Sequence, residues 1–122
     1  MKAPIPQHEE DLVHEYIMRT YLLDVLESDI ETIKAAAFKL HDPYLHLVED
    51  VLKKVRIDIR DMKVKMNELK IKVYEQKEVN EDFVQYEYFA HGYQGHMRYW
   101  DAALKMHGTK LLEKYFKGKP LQ

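Results

Sequence analysis

The chain has 122 residues, 46% of them hydrophobic and 33% charged, which suffices for one globular core and argues against a disordered chain. It contains no cysteine, and its longest apolar run is the four residues 35–38, so the sequence excludes a disulfide framework, thiol chemistry and a membrane-spanning helix, and we expect a cytoplasmic location. The net charge of −2 combines −7 over residues 1–50 (11 acidic, 4 basic) with +5 over residues 51–74 (3 acidic, 8 basic), and such opposed blocks can pair within a fold or between subunits.

The N-terminal part predicts an extended arm followed by helical segments. Two prolines indicate that the arm covers residues 1–7. Residues 8–27 carry apolar side chains at helical spacing and predict the first helix. Ser28 and Glu31 have the spacing of a capping box, which predicts either a short second helix over residues 29–38 or a kinked continuation.

The strongest periodic signal predicts one long central helix over about residues 43–69. Pro43 suits its first turn, with Asp42 as the N-cap. Apolar residues and lysines then alternate over residues 69–73, which predicts a short extended segment over about residues 70–75. An uninterrupted helix to Gln76 is the alternative. The helix is defined by apolar residues at steps of three and four, namely Tyr44, Val48, Val51, Val55, Ile59, Met62, Met66 and Leu69.

A further helix is predicted from Asn80 to about Lys105, and a last one over Lys110–Phe116. The first of these would have two apolar faces, so one face must be covered by another part of the chain or by a second subunit. Gly92 and Gly95 each cost about 1 kcal/mol inside a helix, which favours close approach of another backbone there. A kink or a break at residues 91–95 is the alternative.

These elements predict an all-α fold, a bundle of four to five helices forming a single helical domain over residues 8–118. Trp100 should be buried on the seam of the helix that begins at Asn80. The second face of that helix is the candidate homodimer interface, formed by Tyr88, Gly92, Gly95 and Tyr99. The function expected from this arrangement is that of a non-enzymatic interaction or regulatory protein, acting through self-association and contacts with a protein partner.

The alternative function is binding of a small ligand or metal at His91, His96 and Arg98, because this segment is rich in polar and aromatic groups. Several histidines have a carboxylate four residues away, but the Glu-x-x-His spacing of di-metal bundles is absent. Solvated ion pairs are therefore the expected role of these histidines. We predict no catalytic residue, no metal site and no cofactor.

A basic stripe on the long helix has the pattern of a phosphate-binding surface. Acidic residues on the same helix and in the N-terminal half favour ion pairing instead, so nucleic acid is not an expected partner. The stripe consists of Lys53, Arg56, Arg60 and Lys63.

The face of the long helix opposite its main apolar stripe carries Ile57, Val64 and Ile71, which recur every seven residues. They are either exposed aliphatic residues or a second contact surface.

Three short motifs resemble the YhjD-like group, which comprises small uncharacterised helical proteins of spore-forming Gram-positive bacteria. The similarity covers about residues 40–116 and implies a bacterial cytoplasmic setting, with no established activity and no mechanism. The motifs are Leu40-x-x-Pro43-Tyr44-Leu45-x-Leu47-Val48-Glu49, Ile71-Lys72-Val73-x-Glu75 and Gly92-Tyr93-x-x-x-Met97-Arg98-Tyr99.

Overall fold

A computed structural model describes residues 5–118 as an α+β fold with three helices and one four-stranded antiparallel sheet. The prediction of an all-α bundle of four to five helices is therefore wrong. Residues 1–4 of the predicted N-terminal arm lie outside the described residues. The elements are, in chain order, α1 (Gln7–Ala35), α2 (His41–Glu68), β1 (Ile71–Val73), β2 (Lys77–Glu78), β3 (Phe83–Ala90), β4 (Tyr93–Trp100) and α3 (Asp101–Phe116).

α1 is one continuous helix where two segments or a kink were predicted. Residues 8–35 contain neither glycine nor proline, so nothing interrupts the helical hydrogen bonds at Ser28. The hydroxyl of Thr32 instead donates to the Ser28 carbonyl at 3.4 Å, as in a helix interior. The apolar residues that α1 buries are Val13, Tyr16, Ile17, Met18, Leu22, Leu26 and Ile30.

α2 confirms the predicted long helix, and its ends lie within two residues of the predicted ones. Val51, Val55, Ile59 and Met66 of the predicted stripe are buried. The N-cap is Leu40 instead of the predicted Asp42. The central helix is α1 and not α2, because nine residues of α1 are buried and only five of α2.

The extended segment predicted after α2 is confirmed by β1, whereas the helix predicted over residues 80–105 is wrong. This stretch forms β3, β4 and the first turn of α3. Val84, Tyr86, Tyr88 and Ala90 alternate with more exposed residues, so β3 buries one face only. Aromatic and β-branched residues favour strands, and here they override the helical spacing that the same residues also satisfy.

β3 is the centre of the sheet. β4 pairs along one side of β3, from Phe83 opposite Trp100 to Ala90 opposite Tyr93. β1 and β2 pair with successive parts of the other side of β3. One face of the sheet is buried against the helices. We call it the inner face, and the opposite, uncovered face the outer face.

Two further expectations fail for reasons of local geometry. Trp100 is 55% exposed, because it lies on the outer face at the end of β4. α3 begins at Asp101 and continues through Gly108, where the ring of Tyr21 covers the backbone, so the last helix starts nine residues before its predicted start at Lys110. Within residues 5–118, no helix has the length and apolar character that crossing a membrane requires.

Candidate functional site

The β3–β4 hairpin closes through a two-residue turn, His91-Gly92. Both residues have positive φ, 53° at His91 and 78° at Gly92, which is the signature of a type I′ turn. Glycine adopts this conformation at low cost, and histidine is one of the few other residues found there. The turn matches the twist of the two strands and therefore fixes their register.

A buried carboxylate of α1 anchors the tip of this hairpin. Nε2 of His91 lies 2.6 Å from Oε1 of Glu9, although the two residues are 82 positions apart. Glu9 is buried and sits in the first helical turn, where the helix dipole favours a negative charge. The contact ties the turn of the sheet to the beginning of α1.

The edge of β4 that points away from β3 is a free strand edge. Because the loop has two residues, Ala90 and Tyr93 form a hydrogen-bonded pair, and such pairs alternate along an antiparallel ladder. Gln94, His96 and Arg98 therefore direct their backbone amides and carbonyls away from β3. Within residues 5–118, β4 pairs with β3 and with no other strand. We call this row of backbone groups the β4 edge.

The outer face beside the β4 edge combines aromatic and charged side chains. Phe83, Phe89 and Trp100 are exposed, with Phe89 at 44%. Arg98 donates from Nε and from a terminal nitrogen to Oε1 of Gln85, at 3.1 and 2.7 Å, across the two strands. Nothing in residues 5–118 covers this face.

The inner face of β4 is attached to α1 through a histidine–tyrosine contact. Nδ1 of His14 lies 2.7 Å from the hydroxyl of Tyr99, and the ring of His107 packs edge-on to His14 at 5.7 Å between centroids. Burial lowers the pKa of His14 from its ordinary value. Burial also raises the pKa of Tyr99 far above its ordinary value. His14 is therefore held neutral and Tyr99 protonated, which suits a structural contact.

The residues of the predicted interface have different environments. Tyr88 is buried within the chain, with 3% exposed, and its ring covers Gly95. Gly92 forms the turn, and Tyr99 contacts His14. The alternatives of a kink or a break at residues 91–95 also fail, because they were made for a helix, whereas the chain forms a strand hairpin here and Gly95 lies within β4. Self-association through these four residues was argued for a helix face that does not exist, and self-association itself stays a prediction.

The three residues of the predicted ligand site do not converge. His91 turns inward to Glu9, whereas His96 and Arg98 lie on the outer face of β4. Arg98 is engaged by Gln85. Among residues 5–118, no group of three or more His, Cys, Asp or Glu side chains is arranged to hold a metal ion. His96 and Arg98 line one cavity of about 240 Å³, and His91 is not part of its lining. Ligand binding at these residues stays a prediction.

Sequence reasoning missed a second polar network, centred on Arg19. Its guanidinium is fully buried, donates to the carbonyl and carboxylate of Glu15 at 3.1 and 2.5 Å, and lies 6.0 Å from the ring centroid of Tyr115. The Tyr115 hydroxyl donates to Asp58 of α2, and burial raises the pKa of Tyr115 to about 12. An arginine within the apolar run that begins at Tyr16 was the available signal.

The basic stripe of α2 is in part ion-paired, as predicted. Arg56 contacts Glu27 of α1 at 2.9 Å, and Arg60 contacts Asp61 at 3.6 Å. All four side chains are exposed, so each pair contributes little to stability. The stripe remains a cationic surface, because these exposed ion pairs are weak.

Comparisons with known proteins agree with the resemblance noted in the sequence. The chain is similar to the "Uncharacterized protein YhjD" of Bacillus subtilis (strain 168), with 25% identity over 105 residues, 86% of this chain and 87% of that protein. No solved structure matches the chain. The model of the YhjD protein family matches residues 4–120, almost the whole sequence. The chain therefore belongs to the YhjD family.

Proposed function

We propose that this chain is a non-enzymatic interaction protein that self-associates by pairing its β4 edge with the β4 edge of a second copy. The observation that carries the proposal is the eight-residue edge strand, whose alternate backbone groups have no strand partner within residues 5–118. Such a row of donors and acceptors is a template for another strand. The contact surface is thus a strand edge, instead of the helix face expected from the sequence.

The β4 edge has few of the devices that usually protect an edge strand. Proteins block free edges with proline, charged side chains (above all lysine), bulges or very short strands. β4 contains neither proline nor lysine, Arg98 is its one arginine, and its register with β3 runs without a bulge from Tyr93 to Trp100. An edge of this length, left unprotected, favours an occupant that forms a regular ladder.

Two-fold pairing of this strand is compatible with its charges. In an antiparallel ladder centred on His96, Arg98 lies opposite Gln94 of the second copy, so no two arginines meet. The outer faces of the two sheets then join into one surface that carries Phe83, Phe89 and Trp100 from each copy. Contacts with a protein partner on this aromatic surface are part of the proposal.

We also propose that the protein works in the cytoplasm. A chain without cysteine has no disulfide that would need an oxidising compartment.

The test uses two substitutions at His96, of which only one removes the backbone amide. His96→Pro removes the amide that points to the edge, whereas His96→Thr removes the imidazole and keeps the amide. The amide of His96 does not bond to β3, so both variants should retain the monomer fold. We expect wild type and His96→Thr to be dimers at tens of micromolar in analytical ultracentrifugation, and His96→Pro to be a monomer.

Circular dichroism at the same concentration serves as the control for folding. A monomeric wild type, or a His96→Pro variant that remains a dimer with an unchanged spectrum, would contradict pairing through the β4 edge.

A further inference from the structure

A groove separates the C-terminal half of α2 from β1, on the side of the sheet opposite the β4 edge. Its volume is about 870 Å³. Apolar side chains from three elements line it, among them Tyr16 of α1, Ile59 and Met66 of α2, and Ile71 and Val73 of β1. Most of these apolar side chains are largely buried and form the floor of the groove. A groove beside a free strand edge is the setting in which extended peptides add to a sheet.

The backbone of β1 is free to accept such a strand. The amide of Tyr74 donates to the Glu87 carbonyl at 2.8 Å, so Tyr74 and Lys72 direct their backbone groups towards β3. By the same alternation, the amides and carbonyls of Ile71 and Val73 point away from β3 and towards the groove. Within residues 5–118, β1 pairs with β3 and with no second strand.

The rim of the groove is cationic. Arg56, Arg60 and Lys63 of α2 and Lys72 of β1 line it, against a single acidic residue, Glu75. Lys63 forms no ion pair with any residue of the described range 5–118, and the pairs of the two arginines are exposed and weak. On the β1 wall, Nζ of Lys72 lies over the ring of Tyr74, 5.3 Å from its centroid, and carries no ion pair within residues 5–118. An occupant with acidic side chains would therefore meet positive charge on both walls.

We infer that this groove binds an extended acidic peptide segment of a partner protein, which adds antiparallel to β1. Apolar side chains two positions apart point inward onto Ile59 and Met66. Acidic residues on either side of them contact the cations of α2, and the residue between them faces Lys72. The backbone ladder supplies affinity, and the charge pattern selects acidic sequences.

A second copy of this chain is the poorer occupant of the groove. Two-fold pairing of β1 with itself would bring Arg60 and Lys63 of both copies together, and like charges facing each other are unfavourable. The groove lies across β3 from the β4 edge, so peptide binding and dimerisation can each fail without the other.

The test measures binding of a fluorescein-labelled heptapeptide, Glu-Asp-Val-Glu-Val-Asp-Glu, by fluorescence anisotropy with the full-length chain. We expect saturable binding in the micromolar range. The same peptide with both valines N-methylated keeps every side chain and charge but cannot donate to the Ile71 and Val73 carbonyls, so we expect at least tenfold weaker binding. A peptide with lysine at every acidic position should not bind.

Matched variants test the rim. Lys63→Glu should weaken binding at least tenfold, whereas Lys54→Glu, at an exposed lysine of α2 outside the groove, should change it less than twofold. Absence of binding up to 1 mM would overturn the inference. Equal binding of the N-methylated peptide would also overturn it, because it would show charge attraction without strand addition, and so would equal losses in the Lys54 and Lys63 variants.

Discussion

His91 combines two roles at the tip of the hairpin, a turn conformation and a long-range contact. Asparagine is the residue that type I′ turns prefer at this position, because its short polar side chain tolerates positive φ. Histidine also tolerates it, and its longer side chain reaches the buried Oε1 of Glu9. The choice of residue is therefore explained by the helix that the turn contacts, and not by the turn alone.

Gly95 is predicted to be sterically required, since the ring of Tyr88 occupies the place of its side chain. A Cβ at position 95 would lie 2.5 Å from Cζ of Tyr88, which is buried and has little room to move. We expect Gly95→Ala to lower the free energy of unfolding by about 1–3 kcal/mol in urea denaturation. Gly92→Asn is the control, because its Cβ meets no atom within 4 Å and asparagine tolerates positive φ. Equal stability of Gly95→Ala and wild type would refute the contact.

At the scale of elements, the exposed end of β4 and the buried start of α3 predict losses of stability of different size on truncation. Trp100→Ala should lower the free energy of unfolding by less than about 1.5 kcal/mol, because the indole is mostly exposed on the outer face. Leu104→Ala, one turn into α3, should cost about 2–5 kcal/mol, because Leu104 is 1% exposed. Thermal and urea unfolding would measure both losses, and a loss for Trp100→Ala as large as that for Leu104→Ala would contradict the exposed position of the indole.

The hairpin also shows why part of the fold could not be predicted from the sequence. α2 was found because its apolar stripe repeats over seven helical turns with Pro43 at its start. Residues 83–100 are so rich in aromatic and small side chains that both helical and strand periods fit them. The deciding signal was His91-Gly92 between two eight-residue alternating runs, a turn less recognisable than Asn-Gly. The contact between Glu9 and His91 joins residues 82 positions apart, so no local pattern in the sequence predicts it.

For the whole molecule, the histidine on the inner face makes stability depend on pH. Burial holds the pKa of His14 below 6.5, its ordinary value and the one it regains on unfolding. The unfolded chain therefore binds this proton first as the pH falls, and the contribution of neutral His14, present above about pH 6.5, is lost below it. We expect the melting temperature to fall between pH 7 and pH 5, and to fall less in His14→Gln, measured by circular dichroism.

His41 is the matched control for this pH effect. Its hydrogen bond to Asp42 raises its pKa, so its contribution is present at low pH and is lost as the pH rises through the folded value. His41→Gln should therefore make the fall between pH 7 and pH 5 larger. The same fall in wild type, His14→Gln and His41→Gln would show that neither imidazole controls it.

The central position of α1 has a consequence for how the protein is made. On the ribosome, α1 and α2 are synthesised before the sheet and α3, and can begin to pack against each other. The groups that cover Glu9, His14 and Arg19 come from His91, Tyr99 and Tyr115, more than 80 positions later in the sequence. Until these residues emerge, a carboxylate and a guanidinium destined for the interior stay in water, and the nascent chain cannot close its core. Folding is therefore completed only after residues 91–115 have emerged, and a chain that stops before them would expose the apolar face of α1 to chaperones and proteases.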